Sequence, residues 1–221
     1  MILLRYFRDS RKPAAKVHGP ADITPRVLNV GGGSKDIPLP PHYVNWRHDL
    51  LDIDPKAKPD VVCDARELHA LAAGQYDAVY CSHNLEHYYQ HDGPKVLRGF
   101  LHVLKPDGFA EIRVPDMSAV MKRVVDANLD IEDVLYQSPS GPISVRDVFY
   151  GYAKQIETSG VDFYAHKTGF TIHSLEGLLR RSGFSNVYMF VAEAAFEMRA
   201  VAFKKEPTST QRVLLGLPPS A

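Results

Sequence analysis

Short apolar runs separated by polar turns recur along the first half of the chain. Residues 27–30, 47–52, 60–63 and 76–81 are rich in β-branched or aromatic side chains, as strands buried in a parallel sheet tend to be. Residues 94–104 change period: Val96, Leu97, Phe100, Leu101 and Leu104 share one helical face, and Lys105-Pro106-Asp107-Gly108 breaks it. Residues 109–114 predict a fifth strand, and Asp116 a cap for a helix carrying Met117, Val120, Met121, Val124 and Val125 on one face. From about residue 129 to 166 the pattern loosens and turns aromatic, with a helix predicted over 144–157. Leu175, Leu178 and Leu179 mark a further helix stopped by Gly183, and residues 187–192 and 197–203 lie close enough for an antiparallel pair.

The ends differ from this middle. Residues 1–25 mix Arg5, Arg8, Arg11, Lys12 and Lys16 with prolines and show no periodicity, which predicts an arm ahead of the domain. Residues 204–221, with Pro207, Pro218 and Pro219 among Ser and Thr, are expected to be a disordered tail. Residues 26–203 then form one domain, within which 129–170 reads as an insertion facing the substrate.

Composition narrows the partners. Across 221 residues the formal net charge is zero, so no global basic field of the kind nucleic-acid binders carry is present, and a nucleic-acid partner is not expected. The apolar run Ile2-Leu3-Leu4 is too short for a signal-peptide core or a transmembrane span. A cytoplasmic protein with a small-molecule partner is the expectation, with Cys63 and Cys81 as free thiols; oligomeric state is not legible.

The first strand runs directly into Gly31-Gly32-Gly33, where the chain must turn sharply or let a ligand approach its backbone. About twenty residues later Asp52 ends the second apolar run, where a carboxylate can take ribose hydroxyls, and Asp64 follows the third. A glycine turn by itself is only a turn, and an Asp after a strand is more often a cap; the order and spacing carry the reading. The alternating series argues for a doubly wound α/β sheet with its site at the strands' carboxyl ends.

Taken together, the segments resemble class I S-adenosylmethionine-dependent methyltransferases, and within them the type-11 group, over roughly residues 26–203. Gly31-Gly32-Gly33 resembles their first glycine motif, Leu51-Asp52-Ile53-Asp54-Pro55 the ribose-binding acid, and Val62-Cys63-Asp64-Ala65 the adenine-contacting turn. Residues 76–87, closing on Leu85-Glu86-His87, resemble the fourth strand and its ending, and Val103-Leu104-Lys105-Pro106-Asp107-Gly108-Phe109 the turn into the fifth. The resemblance implies a Rossmann-like sheet of seven strands, mostly parallel with a terminal antiparallel pair. It also implies S-adenosyl-L-methionine as cofactor, bound by Asn29, Gly31, Gly32, Gly33, Asp52, Ile53, Asp64, Ala65, Ser82 and His83. Whether Asp52 or Asp54 takes the ribose stays open. Two residues depart from the pattern: Asn29 stands where an acid often ends the first strand, and Lys35 replaces the motif's last glycine. The family's strand order would hold Cys63 and Cys81 three strand spacings of about 4.8 Å apart, beyond disulfide reach.

Methyl transfer from a sulfonium is largely a matter of positioning, although a hydroxyl acceptor gains from a general base. His87, with Glu86, is the first choice for that role on a small-molecule hydroxyl or other heteroatom; the competing reading has His87 orienting a loop through a backbone carbonyl. Tyr88, Tyr89, Tyr164 and His166 are further candidates for substrate contact. His83-Asn84-Leu85-Glu86-His87 also satisfies the H-x-x-E-H zinc-protease pattern, but that motif needs a continuous helix and here it follows a strand. No metal ligand is assigned, and metal dependence stays open. Two alternatives remain: a non-catalytic cofactor-binding module, and a nicotinamide-dependent oxidoreductase, which Asp36 in place of the third glycine of G-x-G-x-x-G opposes.

Overall fold

The computed structural model describes residues 23–139, 141–192 and 195–219. The elements in chain order begin with β1 (Arg26–Val30), β2 (Arg47–Asp52), β3 (Val61–Val62), β4 (Tyr76–Ser82), α1 (Gly93–Val103), β5 (Leu104–Pro115) and α2 (Met117–Asp126). There follow β6 (Val134–Ser138), β7 (Gly141–Ser144), α3 (Val145–Tyr150), α4 (Ala153–Ser159), α5 (Ile172–Ser182), β8 (Asn186–Ala192), β9 (Glu197–Phe203) and α6 (Ser209–Leu215). The main sheet has seven strands in the order β3-β2-β1-β4-β5-β9-β8. Pairing is parallel from β3 to β5, whereas β9 runs antiparallel to both β5 and β8. The expected doubly wound sheet with a terminal antiparallel pair is therefore present. The free thiols Cys63 and Cys81 are separated by β2 and β1, and burial pushes the Cys81 thiol pKa up.

The period-two alternation of the strands divides the core. Leu28, Val30, Ala110 and Ile112 face α1 and α5, where Val96, Leu97, Phe100, Leu175 and Leu179 cover them. Val27, Phe109, Val201 and Phe203 face the other way, against Tyr43 and Trp46 from the β1–β2 connection and Leu215 and Leu217 from the chain's end. A separate cluster of Val120, Leu135, Val145 and Val148 ties α2 to the β6–β7 hairpin and α3.

Several elements differ from the sequence expectation, each for a local reason. The helix expected over 144–157 is split into α3 and α4 by Gly151, at φ +97°, where a Cβ would collide with the Tyr164 carbonyl. The Lys105–Gly108 breaker does not leave the sheet: Leu104 pairs with Tyr76 and, after a register shift, Phe109 with Ala78, so the turn is a bulge within β5. The tail expected to be disordered carries α6, whose Thr208 and Gln211 form a capping box and whose Leu215 is buried. Sparse prolines hid an amphipathic turn that has core to dock against. Residues 1–22 of the expected arm lie outside the described residues. Among the described residues no helix is long and apolar enough to cross a membrane.

Candidate active site

The carboxyl ends of β1, β2 and β4 meet where the strand order reverses, the point at which a doubly wound sheet leaves a crevice. After β1 the chain turns through Gly31 and Gly33 at φ of +70° and +68°, backbone that side chains rarely adopt. A Cβ at Gly31 would also collide with the Asn84 side chain, and one at Gly32 with the Asn29 amide. The loop is fastened to β2: Gly31 N–H donates to the Leu51 carbonyl at 2.8 Å and Gly33 N–H to Asp52 Oδ2 at 3.1 Å. The other Asp52 oxygen accepts from Asp54 N–H at 2.9 Å. Each carboxylate oxygen retains a further lone pair, so the buried Asp52 can still receive hydroxyl donors from a ligand. Asp54 caps the short turn Pro55–Ala57 through Lys56 N–H. Asp64 caps the turn after β3 and binds the Arg66 guanidinium with both oxygens; burial would raise its pKa, but Arg66 holds it below the ordinary value.

These residues open onto a cleft of about 570 Å³, within the range of ligand pockets. Its wall brings together Gly31, Gly33, Asp52, Ile53, Asp64, His83 and His87 of the expected residues, with Tyr88, Tyr89 and Tyr164. Asn29, Gly32, Ala65, Ser82, Glu86 and His166 are not on that wall. Asn29 is buried against Gly32, so it braces the glycine loop from behind. Lys35 turns away to Asp60 at 2.6 Å and anchors the loop's far side. The sequence reading singled out Phe163 only as one aromatic of the insertion, and it missed Asn84, Lys56, Gln155 and Lys167 on the wall. Asn84 lies inside the motif already singled out, whereas those from the insertion carry no marker of their position.

The catalytic candidates sit just past β4. His83 takes the left-handed region at φ +48°, directing its ring to Glu197, with Nε2 3.0 Å from Oε2. Burial lowers its pKa, but Glu197 and Glu86 outweigh this and raise it, moderated by the half-exposed position of the ring. The turn Leu85–His87 then buries Glu86, while its backbone carbonyl accepts from Lys167 N–H at 2.8 Å and Thr168 N–H at 3.1 Å. Those two bonds pin the returning insertion against the end of β4. His87 Nδ1 lies 3.1 Å from the Ala165 carbonyl and His166 Nδ1 2.8 Å from the Val148 carbonyl, with ring centroids 4.8 Å apart. His87 thus does orient a loop, as its alternative reading held. A carbonyl only accepts, so each Nδ1 carries the proton and the neutral ring keeps its lone pair at Nε2. Burial lowers the pKa of His166; burial would raise that of Glu86, but His83, then His87 and His166, pull it down. The H-x-x-E-H motif is not on a continuous helix: His83 precedes a single 3-10 turn that His87 ends.

A family model described as "Methyltransferase domain" matches residues 3–189. The chain is also similar to solved structures. With the PH0226 protein from Pyrococcus horikoshii OT3 it shares 16% identity over 82% of each chain, at a TM-score of 0.54. With the citrinin polyketide synthase CMeT domain it shares 13%, over 83% of this chain and 47% of that one, at 0.51. With a SAM-dependent methyltransferase from Archaeoglobus fulgidus it shares 15%, over 81% and 86%, at 0.49. No curated protein matches the sequence. At such identities the structural likenesses bear on the fold alone.

Proposed function

The chain belongs to the methyltransferase-domain family, and from that premise we propose that it moves the methyl group of S-adenosylmethionine onto a hydroxyl or other heteroatom of a small molecule. The observation that carries this reading is the glycine loop bonded to Asp52 in the lining of a cleft that also takes in His87. Asp52 receives the ribose hydroxyls with its spare lone pairs, and Ile53 and Asp64 flank the adenine side. Gly31 and Gly33 let the cofactor's amino-acid end approach the backbone. The family membership sets the nicotinamide alternative aside.

The acceptor enters from the insertion side, between Phe163, Tyr164 and the end of β4. Its oxygen attacks the methyl carbon in line, the carbon–sulfur bond breaks with its electron pair going to sulfur, and the acceptor proton is drawn off by the Nε2 lone pair of His87. The free thiols suit a reducing compartment such as the cytoplasm. Calorimetric titration with S-adenosylhomocysteine tests the placement. Binding is expected in the wild type and weakened by about 1.5–3 kcal/mol in Asp52→Ala, the scale of charge-assisted hydrogen bonds. Unchanged affinity in the variant would mean that the ribose lies elsewhere.

A further inference from the structure

Beside the cleft, behind His87, lies a cluster whose bonding methyl transfer alone does not explain. One ligand atom each from Glu86, His87 and His166 lies within 4.8 Å of the others. The Glu86 carboxylate is 1% exposed, and among the described residues neither of its oxygens accepts a hydrogen bond. The imidazole nitrogens facing it are His83 Nδ1 at 3.5 Å and His166 Nε2 at 4.0 Å, too far for a good one. His87 and His166 have both given their Nδ1 protons to backbone carbonyls. Two imidazoles and a carboxylate therefore converge, and among the described residues no donor reaches the carboxylate within hydrogen-bond distance. A buried carboxylate with neither oxygen hydrogen-bonded is unfavourable, and His83 at 3.5 Å compensates it only in part, so a cation held among the three groups would complete its satisfaction.

We propose that Glu86, His87 and His166 bind one divalent cation of the zinc class, with an open coordination position turned to the cleft. Two imidazoles and one carboxylate are a borderline nitrogen–oxygen donor set suited to zinc, and three protein ligands leave room for an incoming oxygen. His87 lines the cleft wall, so the open position is within reach of the acceptor. The Nδ1–carbonyl bonds are the outer supports that metal-bound histidines use to fix their ring orientation. His83 is not in that cluster: it bonds Glu197 through Nε2 and faces Glu86 from 3.5 Å through Nδ1. The third ligand comes from the insertion, held in place by the Lys167 and Thr168 bonds to the Glu86 carbonyl.

The chemistry of this site rests on the methyltransferase reading. A cation held there would lower the pKa of an acceptor hydroxyl in the cleft, whose proton would pass to water as the oxygen attacks the methyl carbon. The carbon–sulfur bond breaks with its pair going to sulfur, leaving a methyl ether and a neutral thioether. In the cation-free protein the Nε2 lone pair of His87 stays available as the base; with the cation bound the same lone pair would hold the cation.

The test is calorimetric titration of zinc(II) alone into the full-length protein stripped of metal, with S-adenosylhomocysteine titrated separately. One equivalent of zinc is expected to bind. Its affinity should fall at least about tenfold in His166→Ala and in Glu86→Gln, while S-adenosylhomocysteine affinity stays unchanged and reports an intact fold. Absence of zinc uptake by the wild type overturns the proposal, and so does equal affinity in both variants. The wild-type titration needs no substitution, so a misfolded variant cannot hide the answer. Failure of the methyltransferase reading has a different signature: zinc binds and S-adenosylhomocysteine does not.

Discussion

Glu111, in the middle of β5, and Glu86, just past the end of β4, are both buried carboxylates, and they are opposites in every other respect. Glu111 Oε2 meets His42 Nε2 at 2.7 Å and accepts from the Tyr43 hydroxyl at 3.0 Å. Its Oε1 accepts from Arg199 Nε at 2.7 Å and Arg113 Nη2 at 3.3 Å. That acid ties the β1–β2 connection, β5 and β9 together, and Arg199 extends the tie to the Leu215 carbonyl at the end of α6. Glu86 has the same chemistry and almost the same burial, but among the described residues no donor lies within hydrogen-bond distance of either oxygen. A buried charge is tolerated where fixed donors surround it, and the region around Glu111 supplies them from the fold itself. Around Glu86 the fold supplies three imidazoles, none within hydrogen-bond distance of the carboxylate, which leaves room for the proposed cation.

The largest expected effect tests the saturated side. Glu111→Ala removes the acceptor shared by Arg199, Arg113 and the buried Tyr43 hydroxyl, leaving Arg113 only Glu197 and Arg199 only the Leu215 carbonyl, and should cost about 3–5 kcal/mol in urea unfolding. A loss below about 1 kcal/mol would mean that the network is decorative and that the contrast with Glu86 has no energetic content.

A smaller effect appears with acid. Burial would raise the pKa of Glu111, but His42 and Arg199 hold it down to about 2, against an ordinary value of 4.5. The folded state therefore binds the proton less readily than the unfolded one. The stabilisation is fully present above about pH 4.5 and is lost as the pH falls toward 2, on the order of 3 kcal/mol in all. Urea midpoints measured from pH 5 downward should show this slope in the wild type and a shallower one in Glu111→Gln. Parallel slopes would assign the acid sensitivity to other carboxylates.

The smallest expected change is the most discriminating. Glu86→Gln removes a charge that faces the half-exposed His83 at 3.5 Å without a direct hydrogen bond among the described residues, so stability in the metal-free protein should fall by no more than about 1 kcal/mol. Turnover should fall sharply all the same. A destabilisation comparable to that of Glu111→Ala would make Glu86 a second structural acid.

The residues legible in the sequence were those whose reason is local. Gly31 and Gly33 follow a strand and take positive φ because the chain must turn there, and Asp52 and Asp64 each cap or fasten the backbone a few residues away. Gly183 stops α5 where it was expected to, at φ +115°. Periodicity reported burial on one side of an element, and so the strands and the helices α1, α2 and α5 could be read from it. It failed where one residue's backbone had a distant cause: Gly151 splits the expected helix because the Tyr164 carbonyl occupies the space of its Cβ.

The sequence by itself determined the alternating strands and helices, the glycine loop with its two acids and, through family resemblance, the cofactor. All of these follow from short-range turn chemistry and from which face of each element is apolar. Only the tertiary structure decided that α6 packs beneath the sheet beside Val27 and Phe109, that His42 reaches Glu111, and that His166 joins Glu86 and His87. Polar side chains carry no periodic signal of their distant partners. Strand order and the return of the insertion bring such groups together, and these depend on packing of the whole chain.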